Sequence, residues 1–241
     1  MQSHQRQLTT WVVNIVTLGT ATVFISRLIW QISLPDVSDI AKKMTVRIDG
    51  ANTGSGVIIE RQGDRYLVLT NWHVVNVGIP LTPKLFKVTT GDGRKHLLSP
   101  RQISRIGKLD LAILEFQSQY HYPVASIGNS DKLHEGETIY VAGWADPNPQ
   151  LPTRVYQLLV GNLSGRIDRP QDGYALVYTV NALPGMSGGP VLDSRGNLVG
   201  INGRATVDLR TGTVNSVLGI DIGRYLRASG KLPSQKWRKW G

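Results

Sequence analysis

Along most of the chain, short apolar runs are separated by turn-forming residues, a pattern typical of β-strands. Met44–Ile48 alternates apolar and polar positions, and Leu85–Thr90 is separated from Lys95–Leu98 by the turn signal 91–93, which predicts a hairpin. Between such runs there is almost no helical periodicity, which favours a barrel or sandwich over a βαβ fold. The pattern predicts an all-β domain with a short C-terminal helix at Ile222–Ser229. Further strands are predicted at 66–70, 110–116, 138–142, 154–160, 174–180, 190–192, 198–202 and 216–220.

The N-terminal region has a different pattern. Leu8–Ser26 contains no charged residue and lies between Arg6 and Arg27. As a helix with a rise of about 1.5 Å per residue, it is just long enough to cross a hydrocarbon core of about 30 Å. We interpret it as a signal-anchor, with a cleaved signal peptide and an ordinary helix as the alternatives. Membrane attachment through this segment predicts a membrane-anchored or exported protein on the extracytoplasmic side.

The pattern divides the chain into three parts. Residues 1–38 form the hydrophobic segment and its linker, residues 39–230 form the folded domain, and residues 231–241 form a basic-aromatic tail. Asp146–Pro152 contains three prolines and is interpreted as a surface loop that joins two halves, at about 39–145 and 153–230. The tail contains Lys236–Trp240, which suits either a membrane surface or, as we favour, a frayed end.

Composition narrows the functional classes. The 241 residues are 41% hydrophobic and 18% charged, so a sizeable core is expected. There is no cysteine, which excludes disulfides and thiolate metal sites. The formal net charge is +10, but the basic residues are scattered, so a solvated surface is expected and no nucleic-acid partner. No metal-binding or phosphate-loop motif is present, and we expect neither a metal nor a cofactor.

Three polar residues lie in settings that suit nucleophilic catalysis. Ser187 lies within the glycine-rich string Gly185–Pro190, His73 directly follows an apolar run, and Asp110 lies between two leucines. An alcohol needs a base to take its proton, the base needs an orienting carboxylate, and the developing oxyanion needs N–H donors. Taken singly, each residue has a structural alternative: a glycine-rich turn, a buried core histidine, and an exposed aspartate at a strand start.

Three strings of the sequence resemble the motifs of trypsin-like serine peptidases. They are Thr70–Val75, Asp110–Ala112 and Gly185–Val191, in the family order His, Asp, Ser. The cysteine-free form is most similar to bacterial, particularly cyanobacterial, HtrA-type peptidases. The resemblance implies two six-stranded antiparallel β-barrels with an active site between them. It also implies a serine endopeptidase that hydrolyses peptide bonds through an acyl-enzyme and takes a protein or peptide substrate.

The resemblance also implies a role for each site residue. His73 would be the general base and then the acid, Asp110 would orient it, and Ser187 would attack the scissile carbonyl. The N–H groups of Gly185 and Ser187 would form the oxyanion hole. The implied substrate-binding positions are Asn181, at the base of the specificity pocket, and Gly203, Arg204 and Ala205.

The sequence departs from the family pattern at informative places. Met186 stands where digestive relatives have an aspartate that pairs with a newly cut N-terminus, so activation by such a cut is not expected. Asn181 is uncharged, which gives no support to a preference for Lys or Arg. About 20 residues follow Asp221, too few for a PDZ domain. The alternative function is a catalytically silent relative that binds exposed peptides; the enzyme is favoured because all three candidate catalytic residues are present.

Overall fold

A computed structural model describes residues 36–50, 52–76, 85–207 and 214–231 of the chain. The predicted N-terminal hydrophobic helix at Leu8–Ser26 and the basic-aromatic stretch Lys236–Trp240 lie outside these residues. In the described part, no helix has the length and apolar character needed to span a membrane. Membrane attachment and export therefore stay predictions.

The described residues form a mostly β structure with three short α-helices. The helices are α1 (Val37–Met44), α2 (Trp72–Val75) and α3 (Ile222–Ala228). The strands are β1 (Thr45–Asp49), β2 (Thr53–Gln62), β3 (Arg65–Thr70), β4 (Phe86–Thr89), β5 (Lys95–Leu98), β6 (Ile103–Arg105), β7 (Ala112–Gln117), β8 (Thr138–Ala145), β9 (Val155–Arg166), β10 (Tyr174–Thr179), β11 (Pro190–Leu192), β12 (Leu198–Val207) and β13 (Val214–Asp221).

The first half is a seven-stranded antiparallel sheet in the order β5-β4-β1-β2-β3-β7-β6. The predicted hairpin is confirmed, with Phe86 opposite Leu98. The predicted closed six-stranded barrel is wrong for this half, because β5 and β6 lie at opposite edges of the sheet. The short 3₁₀ turn Pro100–Gln102 lies between these two strands in the chain, but they do not pair with each other, so this half is a half-barrel. Alternation in β1 directs Val46 and Ile48 into the core of this half.

The second half is a closed six-stranded barrel in the order β10-β13-β12-β11-β8-β9, as predicted. The position of the join was predicted wrongly. β8 pairs with β9 from Thr138 opposite Asn162 to Ala145 opposite Val155, so Asp146–Pro152 connects two strands of the same barrel. Its prolines turn a hairpin, and the chain changes sheet between β7 and β8. The outer domain limits at 39 and 230 stay predictions.

One buried cluster packs the two halves together. Val57 and Leu69 of the first sheet, Leu192 and Ile201 of the barrel, and Ala41 of α1 all belong to it. The C-terminal helix, predicted for Ile222–Ser229, is present as α3. The candidate site residues lie just beyond strand ends of both halves, with His73 after β3, Asp110 before β7 and Ser187 between β10 and β11.

Candidate active site

His73 is carried by a one-turn helix that follows directly on a buried strand. β3 ends at Thr70 and α2 begins at Trp72, where Asn76 closes the turn by donating its N–H to the Trp72 carbonyl at 2.8 Å. Val74 and Val75 of this turn are buried, whereas the side chain of His73 is 44% exposed. The buried valines therefore anchor the turn, and the imidazole of His73 lies at the protein surface.

Asp110 holds His73 through two contacts. The backbone N–H of His73 donates to Asp110 Oδ1 at 2.8 Å, and Nδ1 of the imidazole lies 2.7 Å from Oδ2. Asp110 is only 4% exposed. Burial by itself would raise the pKa of Asp110, but the hydrogen bonds from His73 and Tyr174 outweigh it, so the pKa lies below its usual value. The ionised carboxylate fixes the Nδ1–H tautomer and leaves Nε2 free to accept a proton.

The Tyr174 hydroxyl is a further donor to this carboxylate, besides the two N–H groups of His73, and no local sequence pattern predicted it. Its hydroxyl donates to Asp110 Oδ2 at 2.6 Å. The phenol fits because residue 203 is glycine: a Cβ there would lie 2.4 Å from the Tyr174 hydroxyl. The guanidinium of Arg204 lies 4.5 Å from the centre of the Tyr174 ring and is paired with Asp172 at 2.7 Å. Asp110 is thus enclosed by donors on several sides.

We expect Tyr174→Phe to lower the free energy of unfolding at neutral pH by about 1.5–3 kcal/mol, the usual contribution of a hydrogen bond to a charged group. Asp110 has a folded pKa below its unfolded value, so its contribution is present above the unfolded pKa and is lost as pH falls through the folded pKa. The difference between variant and wild type should therefore shrink below about pH 4. Denaturant unfolding at several pH values measures it.

Tyr156→Phe is the matched control, because the buried Tyr156 hydroxyl has no hydrogen-bond partner within the described residues. We expect that variant to be at least as stable as the wild type at every pH. Equal effects of the two substitutions would contradict the role given to the Tyr174 hydroxyl.

Ser187 lies in the loop between β10 and β11, pressed against the end of β3. Gly188 has φ +86°, and a Cβ at that residue would lie 2.1 Å from Thr70 Oγ1. A Cβ at Gly54 would contact both the Val74 side chain and the Ser187 carbonyl, at 2.4 and 3.1 Å. Only glycine permits these approaches. They bring the Ser187 segment beside the turn that carries His73.

The Ser187 hydroxyl donates to the Gly203 carbonyl at 2.9 Å. Within the described residues, no hydrogen bond joins Ser187 to the imidazole of His73. The structure therefore pairs His73 with Asp110, and it places the Ser187 segment beside the turn of His73 with the Ser187 hydroxyl on a different acceptor. Catalytic contacts are commonly loose in unliganded enzymes and tighten when substrate binds.

Two backbone N–H groups of this loop are available to a ligand. In the part of the chain that the structure describes, the N–H groups of Gly185 and Ser187 donate no hydrogen bond, whereas those of Met186 and Gly188 donate to Leu183 and Asn202. Gly185 is in the left-handed region, with φ +86°. This pair of unpaired donors flanking Met186 has the composition of an oxyanion-binding site.

The predicted substrate-binding residues lie in two places. Gly203, Arg204 and Ala205 are in β12, beyond Ile201, the last residue of that strand that pairs with β11. On its other side β12 pairs with β13, so within the described residues one edge of this stretch is open to an added strand. Asn181 is exposed, two residues after β10 ends.

Two further residues beside the candidate site were not identified as site residues from the sequence. Ser55 donates its N–H to the Ser187 carbonyl at 2.7 Å and its hydroxyl to the Gly185 carbonyl at 2.8 Å. The Asn202 side chain donates to the Met186 carbonyl at 3.1 Å. A signal for Ser55 was present, since it lies between two glycines that suit close backbone approach; nothing local marked Asn202.

The fold, and the grouping of an exposed histidine held by a buried aspartate with a serine in a glycine-rich loop, define a chymotrypsin-like peptidase domain. The model of the trypsin-like peptidase domain matches residues 54–201, and the chain belongs to that family. The family resemblance of the sequence is thereby confirmed.

Individual relatives agree with this assignment. Serine protease Do-like HtrB of Bacillus subtilis is 33% identical over 61% of this chain and 32% of its own length. Putative serine protease HhoA of Synechocystis is 31% identical over 76% of this chain and 45% of its own length. The chain thus spans 32% and 45% of the lengths of these two relatives, less than half of either. A solved HtrA-type protease, AlgW with a decapeptide, is 20% identical with a TM-score of 0.61, covering 79% of this chain and 64% of that one, and shows the shared fold.

Proposed function

We propose that the chain is a serine endopeptidase in which Ser187, His73 and Asp110 form the catalytic triad. The observation that carries the proposal is the doubly hydrogen-bonded contact between His73 and the buried Asp110, in a site that also contains a serine whose loop offers two unpaired N–H groups. Family membership and the serine proteases among its relatives support the reaction class. The membrane-anchored or exported location predicted from Leu8–Ser26 stays a proposal, which cell fractionation of the full chain tests.

In the proposed reaction, the Ser187 hydroxyl turns about its Cα–Cβ bond, leaves the Gly203 carbonyl and donates to Nε2 of His73. The imidazole takes the proton while Oγ attacks the scissile carbonyl, and Asp110 stabilises the imidazolium that results. The N–H groups of Gly185 and Ser187 stabilise the oxyanion of the tetrahedral intermediate. His73 then protonates the leaving amine, and water, activated by the same imidazole, hydrolyses the acyl-enzyme.

The substrate proposed is an extended segment of a peptide or unfolded protein. The open edge of β12 at 203–205 offers backbone groups to such a strand, whose side chains would point alternately towards and away from the protein. The solved HtrA-type structures with a decapeptide and a tripeptide support this class of ligand. Asn181 is proposed to lie at the base of the pocket for the residue before the cut.

A fluorophosphonate probe, which reacts with activated serines, tests the proposed function. We expect the wild-type protein to be labelled at Ser187 and the Ser187→Ala variant to remain unlabelled. Peptide mapping of the labelled protein identifies the residue, and circular dichroism verifies that the variant is folded.

Ser164→Ala is the control, because Ser164 is an exposed residue of β9. Its labelling should equal that of the wild type. A folded wild-type protein that stays unlabelled and cleaves no casein would contradict the proposal. The catalytically silent relative that binds exposed peptides would then be the better interpretation.

A further inference from the structure

The loop that carries Ser187 lacks the ion pair that orders it in digestive relatives, because Met186 is not ionisable. Met186 is fully buried, and a Cβ added at Gly143 would lie 2.9 Å from its Cα and Cβ, so the residue packs closely against β8. Packing fixes this side chain but does not by itself aim the neighbouring N–H groups. The orientation of each peptide plane requires hydrogen bonds of its own.

Peptide planes are trans and rigid, so holding a carbonyl oxygen aims the N–H on the opposite side of the same plane. The N–H of Gly185 shares its plane with the Pro184 carbonyl, which accepts from the Asp146 N–H at 2.8 Å. The N–H of Ser187 shares its plane with the Met186 carbonyl, which accepts from the side chain of Asn202 at 3.1 Å. Both proposed oxyanion donors are therefore aimed by contacts on the far side of their peptides.

Arg154 connects these contacts to the rest of the domain. It precedes β9, and its side chain is only 8% exposed. One guanidinium nitrogen donates to the Gly54, Trp144 and Gly185 carbonyls at 2.9, 2.7 and 3.2 Å. The other terminal nitrogen donates to the Ile48 carbonyl at 2.9 Å. A single planar cation thus joins β1, β2, β8 and the Ser187 loop, using the fork of donors that only arginine provides.

Two carboxylates compensate the buried charge of Arg154. Asp49 Oδ1 accepts from its guanidinium at 2.9 Å, and Asp146 Oδ1 lies 3.1 Å from its Nε. Burial would raise the pKa of Asp49, but the hydrogen bond from Arg154 and the neighbouring basic side chains hold it below its usual value. The second carboxylate is that of Asp146, whose backbone N–H donates to the Pro184 carbonyl. Asp146 also accepts from the Thr53 hydroxyl at 2.6 Å, so its position is fixed from two sides.

We propose that Arg154, acting through Asp146 and the Gly185 carbonyl, is the positioning residue that keeps the oxyanion-hole loop in its binding conformation. In this role Arg154 orders the loop, as an ion pair made by the residue at position 186 does in digestive relatives. The inference rests on the proposed peptidase function, because it concerns how the same site is held ready. Arg154 does not touch the reacting atoms; it acts on the direction of the Gly185 N–H through Asp146, and its bond to the Gly185 carbonyl holds the next peptide plane, which carries the Met186 N–H.

Arg154→Ala in the full chain tests the inference by steady-state peptide hydrolysis. We expect kcat to fall by about 10²–10³-fold, the usual loss when one oxyanion donor is removed, with KM changed less than threefold. Millimolar guanidinium chloride should raise the kcat of this variant at least tenfold, because the free cation can occupy the site left by the Arg154 side chain. Arg224→Ala is the control, since Arg224 is also partly buried and paired with an aspartate but lies on α3. That variant should retain the wild-type kcat and show no rescue.

A second measurement separates failure of this inference from failure of the proposed function. This measurement uses the Ser187→Ala background, because the amide NMR signal of Gly185 can be followed without catalytic activity. The signal should broaden or split when Arg154 is also replaced by alanine, and it should sharpen again when guanidinium is added. An unchanged signal, or full activity of a folded Arg154→Ala protein, overturns the inference. An inactive wild type whose Gly185 signal still responds to Arg154→Ala would contradict only the peptidase function.

Discussion

Replacing His73 by alanine is expected to lower kcat for peptide hydrolysis by about six orders of magnitude. The imidazole is the only group proposed to take the Ser187 proton and to return it to the leaving amine, so its loss stops both halves of the reaction. Folding should persist, because Val74 and Val75 make the buried contacts of α2 and the backbone N–H at residue 73 still reaches Asp110. Turnover of a fluorogenic peptide by purified protein measures the effect.

His134→Ala is the matched control for that experiment. His134 is exposed and lies in the connection that precedes β8. Its replacement should leave kcat within twofold of the wild-type value. If a folded His73→Ala protein kept more than about one part in a thousand of the wild-type kcat, His73 would not be the base.

The second large effect is expected for Asp110→Asn, with a fall in kcat of about four orders of magnitude. An amide of the same shape accepts through only one oxygen, whereas Asp110 accepts from the His73 backbone on one oxygen and from the imidazole and Tyr174 on the other. An NH₂ group facing Nδ1 would force the proton onto Nε2, which would then be unable to accept from Ser187. Initial rates of peptide hydrolysis by the folded variant and by the wild type measure the loss of kcat.

Asp172→Asn provides the comparison for Asp110→Asn. Asp172 belongs to the same polar cluster, since it pairs with Arg204 and its carbonyl accepts the Asp110 N–H at 3.0 Å, but it makes no contact with the imidazole among the described residues. We expect its kcat to stay within tenfold of wild type. Similar kcat values for the two variants would refute the specific orienting role of Asp110.

The parts of the site that could be predicted from sequence are those with a local pattern. His73 follows an apolar strand, Asp110 lies just before another, and the glycines around Ser187 permit left-handed backbone; each signal lies within a few residues. Residues that act across the fold carry no such signal. Tyr174 bonds a carboxylate 64 positions away and Arg154 bonds a carbonyl 106 positions away, so neither partner can be inferred before the strands are placed.

The errors in the predicted fold have the same physical origin. The three prolines in Asp146–Pro152 mark a turn correctly, but whether a turn joins two sheets or two strands of one sheet depends on pairing, and β8 pairs with β9. The first half was expected to close because the family does. Closure is a property of the edge strands, and β5 and β6 remain at opposite edges.

The contact between Tyr174 and Gly203 couples the substitutions that these two positions can accept. The phenol occupies the space that any side chain at residue 203 would need, so the hydroxyl that reaches Asp110 from residue 174 requires glycine at residue 203. A change at either position alone removes a donor or creates a clash. Substitution in this family is therefore expected to move the two residues as a pair, and a mutant library that varies one while fixing the other will recover little besides the starting sequence.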